Sequence, residues 1–169
     1  MHRIVLTALI AAVGFSAAHA QTSARDLEVL GRALGFLEGV SGSERLVAIV
    51  YDPAAASEAE ALTAALSGGM SAGRITMNGR LVPLGDTAGL AGAHAALLVG
   101  GASADSGFAQ AASSQGVMTV STDLGCVQAG RCVMGVQSAP AVRILVNRAA
   151  AGSASVSFST AFAMMVEEI

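Results

Sequence analysis

Apolar positions recur along this chain in two rhythms. Residues 24–38, ARDLEVLGRALGFLE, place Leu27, Leu30, Leu34 and Leu37 three or four apart with charges between them. That spacing predicts an amphipathic helix whose apolar face is core, ending at Gly39. RLVAIVY at 45–51, AALLV at 95–99 and VMTV at 117–120 are instead continuous apolar runs but for Arg45 and Thr119. Such runs are typical of strands covered on both faces in a parallel sheet. Each meets a polar or glycine-rich turn: Asp52-Pro53, Gly100-Gly101 and Ser121-Thr122-Asp123. Residues 58–66 and 103–114 read as the intervening helices, closed by Gly68-Gly69 and Gly116. Ser57 with Glu60 three residues on matches a capping box for the first of them.

The remaining pieces are shorter. Residues 74–77 and 81–84 flank Asn78-Gly79, which predicts a hairpin turn there, with a single bulged strand as the alternative. Residues 86–90 read as a helical or turn segment. Residues 133–136 and 142–146 form a second predicted hairpin around Ser138-Ala139-Pro140, and 157–168 a closing helix capped by Ser157. The expectation is one α/β domain over 21–169. It is a mostly parallel, Rossmann-like sheet flanked by helices, with an antiparallel hairpin near the C-terminus and a final helix. Ligands of such sheets sit at the carboxyl ends of the strands. A small-molecule site here would use Asp52, Gly101, Ser121 and Asp123.

The first twenty residues stand apart. His2-Arg3 form a basic start, 4–15 an apolar run, and Ala18-His19-Ala20 an A-x-A cleavage site, as in a secretory signal peptide. The run falls short of the ~20 residues of a spanning helix. Export to the periplasm is therefore expected, with the mature chain starting at Gln21. Cleavage removes one of nine arginines and none of twelve acids, so the net charge moves from −3 to −4. That balance disfavours nucleic acid and anionic membranes. The 53% apolar content is largely alanine, and no later run is long enough to span.

In an oxidising compartment Cys126 and Cys132 are expected to pair, stabilising by roughly 2–3 kcal/mol on the chain-entropy model. The competing reading is a zinc site, which two thiolates without a nearby histidine leave incomplete.

Catalytic patterns are sparse. Asp52 and Asp123 read as a carboxylate pair at the sheet rim or, more plainly, as turn aspartates holding backbone amides. Gly100-Gly101-Ala102-Ser103 follows a strand but lacks the spacing and the lysine of a phosphate loop. His94 is the single histidine after residue 20, and no G-x-S-x-G is present. The six methionines past Met1 are scattered apart from Met164-Met165, a pattern of core filling rather than a soft-metal site. No enzyme activity, cofactor or metal is expected.

The order of these pieces resembles the YfiR-like periplasmic protein family. Met118-Thr119-Val120-Ser121 with Asp123 stands for the family's "LTVSD" strand and Ala129-Gly130 for its glycine loop. The run RILVNRAA at 143–150 stands for the "IN-x-x-A-A" step and 156–166 for the last helix. The chain departs from the family at Gly39-Val40-Ser41, where a "W-P" is usual, and at acidic Glu167-Glu168. The resemblance implies a disulfide at the cysteine pair, a dimer and a non-catalytic role in cyclic-di-GMP signalling. That role is repression of an inner-membrane diguanylate cyclase by contact with its periplasmic sensor domain. The rival expectation is a small-ligand binder, since LVAIVYDP also looks like the opening strand of an ABC-transporter solute-binding protein. Such proteins have two lobes, and about 149 residues supply one.

Overall fold

The computed structural model describes residues 21–169, so the expected signal sequence lies outside the described residues. Ser23 caps α1 (Ala24–Leu34) in a reciprocal box with Asp26, and Leu27, Leu30 and Leu34 are buried on one face. Burial of each stabilises by about 1.5–3 kcal/mol. The helix stops at Leu34, four residues before the expected end.

β1 (Glu44–Tyr51) enters a sheet of eight strands ordered β2-β3-β1-β4-β5-β6-β7-β8. The others are β2 (Met70–Ala72), β3 (Ile75–Pro83), β4 (Ala95–Val99), β5 (Met118–Ser121), β6 (Met134–Gln137), β7 (Arg143–Val146) and β8 (Glu167–Glu168). Strands β3, β1, β4, β5 and β6 run parallel in sequence along the sheet; β2 and β7 are antiparallel to their inner neighbours, and β8 is parallel to β7. The α/β architecture read from the apolar runs is the one observed, including the β6–β7 hairpin.

Strand alternation sends Val47 and Ile49 to one core and Ala48 and Val50 to the other. On the first face lie α1 and α2 (Ala56–Leu66), with α5 (Arg148–Ser153) and α6 (Thr160–Ala163) beyond them. On the second lie α3 (Ser106–Ser114) and α4 (Leu124–Gln128). Cys126 and Cys132 are disulfide-bonded, with Cα atoms 5.2 Å apart, and both pack fully buried in this second core.

Four local expectations need correction. Asn78-Gly79 is no turn: β3 pairs with β1 in unbroken register through Leu46–Asn78 and Val47–Gly79, without a bulge. Glycine is needed there because α2 crosses closely, and a Cβ on Gly79 would stand 2.9 Å from the Leu66 Cβ. The turn lies one step earlier, between β2 and β3, where Gly73 takes φ 62°.

The Ser57–Glu60 capping box does not start α2. The helix begins at Ala56 without a side-chain cap, and Asp52 caps the 3-10 turn before it instead. The final helix is present but short. It ends at Ala163, because Phe162 turns inward to pack on Phe36 and Phe158, with centroids 5.3 and 4.8 Å away. Glu167 and Glu168 then leave helical geometry and add β8 beside β7. The expected 103–114 helix likewise divides into a 3-10 turn (Gly100–Ala104) and α3, which Asp105 caps.

Candidate functional site

Connections from β1 leave in opposite directions, to β3 on one side and, through β3, to β4 on the other. The carboxyl ends of β1 and β4 therefore flank the crevice in which open α/β sheets bind ligands. Asp52 leaves β1 at that point. Its Oδ1 accepts the Ala55 amide and its Oδ2 the Gly101 amide, both at 3.0 Å. One carboxylate thus staples the crevice, and glycine suits the close approach: a Cβ on Gly101 would collide with Oδ2.

A second set of bonds ties the next strand end. Ser121, buried, accepts the Asp123 amide at 3.0 Å and donates to the Leu98 carbonyl at 3.4 Å. Asp123 Oδ1 accepts the Gly125 amide at 2.9 Å, starting α4, and Oδ2 accepts the Ser103 hydroxyl at 3.3 Å. Arg131, inside the disulfide loop, donates from Nε to the Ser103 carbonyl at 3.0 Å.

The four predicted residues therefore all reach the carboxyl rim, but in two places. Asp52 and Gly101 line a hollow of about 730 Å³ with Leu27, Ala61 and Leu62. Ser121 and Asp123 line a neighbouring hollow of about 280 Å³. Between them runs the segment entering α1: the Thr22 amide donates to Glu58 Oε1 at 2.7 Å, and Thr22 and Glu58 line both hollows. Asp52 and Asp123 are turn aspartates by their bonding, each engaged with backbone amides.

Two titratable groups were invisible as partners in the sequence. Asp26, buried in α1, accepts the Ser138 amide at 2.8 Å and the Ser23 amide at 2.8 Å. Burial pushes its carboxyl up, but the hydrogen bonds from Ser23 and Ser138 outweigh that and hold it below the ordinary value. The Ser23-x-x-Asp26 spacing was legible; Ser138 was not. His94, at the opposite end of the sheet, accepts the Leu46 amide through Nδ1 at 3.1 Å. Burial, then the charge of nearby Arg45, lower its pKa from 6.5, against the opposing effect of the Leu46 amide. Arg45 is itself buried, with two donations from Nη1 to the Gly42 and Glu44 carbonyls and none from Nε.

Among the described residues no group of three or more His, Cys, Asp or Glu is placed to hold a metal ion, and no helix is long and apolar enough to cross a membrane. Met77, Met118 and Met134 fill the first core. Among the described residues the large apolar side chains that stand exposed flank the last two strands: Val142 precedes β7, Met164 and Met165 precede β8, and Ile169 follows it. Among the described residues β8 pairs with β7 alone and is the last strand of the sheet.

No protein-family model matches the chain, and no curated protein matches it. Solved structures do. A conserved domain protein from Vibrio cholerae O1 biovar El Tor aligns over 85% of this chain and 58% of its own, with TM-score 0.57 and 16% identity. The ABC domain in complex with L-Trp from Streptococcus pneumoniae aligns over 73% of this chain and 54% of its own, with TM-score 0.51 and 11% identity. The chain thus spans a little over half the length of either. At such identities the likeness is one of fold: the chain is an α/β domain of the same build as part of these two proteins.

Proposed function

We propose that this protein is a non-catalytic regulatory domain of the periplasm. It binds the periplasmic sensor domain of an inner-membrane signalling protein such as a diguanylate cyclase. The observation that carries the reading is the exposure of Val142, Met164, Met165 and Ile169 on the segments that flank β7 and β8. Apolar side chains collected on one surface favour a protein contact, and methionine adapts to irregular partners. The bonding of Asp52 and Asp123 supports the same reading, since their oxygens accept three backbone amides and the Ser103 hydroxyl. The disulfide agrees with an oxidising compartment, and the YfiR-like run at 118–150 with the partner class. Repression requires tighter binding to the inactive arrangement of the partner than to the active one.

The test is crosslinking in cells from a photoreactive residue at position 165, with position 60 on α2 as control. Capture from 165 alone of a membrane protein with a periplasmic sensor and a cytoplasmic cyclase domain is the expected result. Equal capture from both positions, or capture of this chain only, would overturn the proposal.

A second reading, a small-ligand binder, has its own observation: the 730 Å³ hollow lies at the switch point of a fold shared with a structure that holds L-Trp. Calorimetry with L-tryptophan and other amino acids tests it. Heat of binding abolished by Asp52→Ala would move the function to that crevice.

A further inference from the structure

Met164 and Met165 are 80% and 62% exposed, whereas Met77, Met118 and Met134 are fully buried. The difference is built into the local fold. Phe162 is pulled into the core between Phe36 and Phe158, and the Met165 amide donates to the Phe162 carbonyl at 2.9 Å. Two residues beyond Met165 the chain enters β8, whose two residues pair with Leu145 and Val146. The backbone on both sides of the methionine pair is thus anchored, while the two thioethers project outward. Neither is filling space in a core, the ordinary use of methionine.

We propose that Met164 and Met165 are a modification site at which hydroperoxides oxidise both thioethers to sulfoxides. A sulfur lone pair attacks the terminal peroxide oxygen and the O–O bond breaks. That oxygen stays on sulfur as the sulfoxide, and the proton it carried passes to the remaining oxyanion, which leaves as water or an alcohol. Sulfur is oxidised by two electrons and the peroxide is reduced by two. The product is polar. Because the side chains stand outside the core, the fold accommodates it without repacking. The β8 edge changes from apolar to polar, which, resting on the regulatory reading above, would weaken the partner contact made there.

The full mature chain, exposed to dilute hydrogen peroxide and mapped by peptide mass spectrometry, decides the matter. Met164 and Met165 should each gain one oxygen at least about tenfold faster than Met77, Met118 and Met134, because a buried thioether must wait for local opening. In urea all should react at comparable rates. Oxidation of the buried three in step with the pair, or resistance of the pair in the folded chain, would overturn the proposal. Circular dichroism should show the doubly oxidised protein still folded; unfolding on oxidation would also overturn it. Crosslinking from position 142 then reads the consequence: capture should fall at least about tenfold in the oxidised wild type and persist in peroxide-treated M164L/M165L. If untreated protein captures no partner, the regulatory reading fails while the peptide map still decides the modification.

Discussion

Asp26 on the first helix accepts the backbone amide of Ser138 at 2.8 Å, joining residues 112 positions apart in a buried bond. The same carboxylate completes the cap of α1 through Ser23. One side chain therefore orients the first helix and fixes the turn between β6 and β7. Its removal leaves the Ser138 amide buried without a partner.

Asp26→Ala should cost about 1–3 kcal/mol, the penalty of an orphaned buried donor together with a lost cap. Urea unfolding at neutral pH measures it. The carboxyl is held below its ordinary value of 3.8 in the folded state. Its contribution is thus present above pH 3.8 and lost as pH falls through the lower folded value. Asp26→Asn should flatten that acid limb of the stability curve; an unchanged limb would show that other carboxylates set it.

His94 predicts a second pH effect, at milder acidity. Its pKa is lowered on folding, so the unfolded chain binds the proton more readily below pH 6.5. Stability should therefore decline as pH falls from 6.5 toward the folded value, where protonation breaks the bond from Leu46. His94→Gln should remove this slope. In Arg45→Met, proton resonance of the imidazole should titrate at higher pH, because the neighbouring cation is gone. Buried Arg45 has no carboxylate partner among the described ion pairs, so this replacement should leave stability within about 1 kcal/mol or raise it.

Gly101→Ala should destabilise by about 1–3 kcal/mol, since the new methyl meets Asp52 Oδ2 and the carboxylate can make room only by giving up its amide bonds. Asp52→Ala should cost a similar amount by freeing the Ala55 and Gly101 amides. The double variant should cost less than the two together, because either change alone already breaks the staple. Additivity in denaturation would show that the two residues act independently.

Reduction offers a last test. Cys126→Ala with Cys132→Ala should lose roughly 2–3 kcal/mol through the closed loop, with some packing loss because both sulfurs are buried in the second core. Arg131, which the loop presents to the Ser103 carbonyl, should lose protection along with it. Hydrogen exchange confined to residues 123–133 would fit a local role; exchange across the whole sheet would not.

Read by residue, the sequence was informative where short-range chemistry decides. LVAIV and AALLV read as strands buried on both faces, and both form the centre of the sheet. Leu27, Leu30 and Leu34 announced the face of α1. The Cys126–Cys132 pair expected of an oxidising compartment is the bond observed, and the strand-end positions of Asp52, Gly101, Ser121 and Asp123 placed all four at the carboxyl rim.

Where the sequence misled, a neighbour distant in the chain had overruled a local preference. Asn-Gly favours a tight turn, but Gly79 lies under Leu66 of α2 in an unbroken strand. The closing run favours a helix, but the burial of Phe162 and a free edge beside β7 divide it into one helical turn and β8. Local sequence by itself determined the α/β class, the capping of α1 and the disulfide, because these follow from hydrophobic period, short-range hydrogen bonding and a short covalent loop. Tertiary structure alone decided that Asp52 staples the crevice, that Asp26 finds Ser138 and that two methionines are left in solvent. Each depends on which surfaces remain after the long-range contacts have formed.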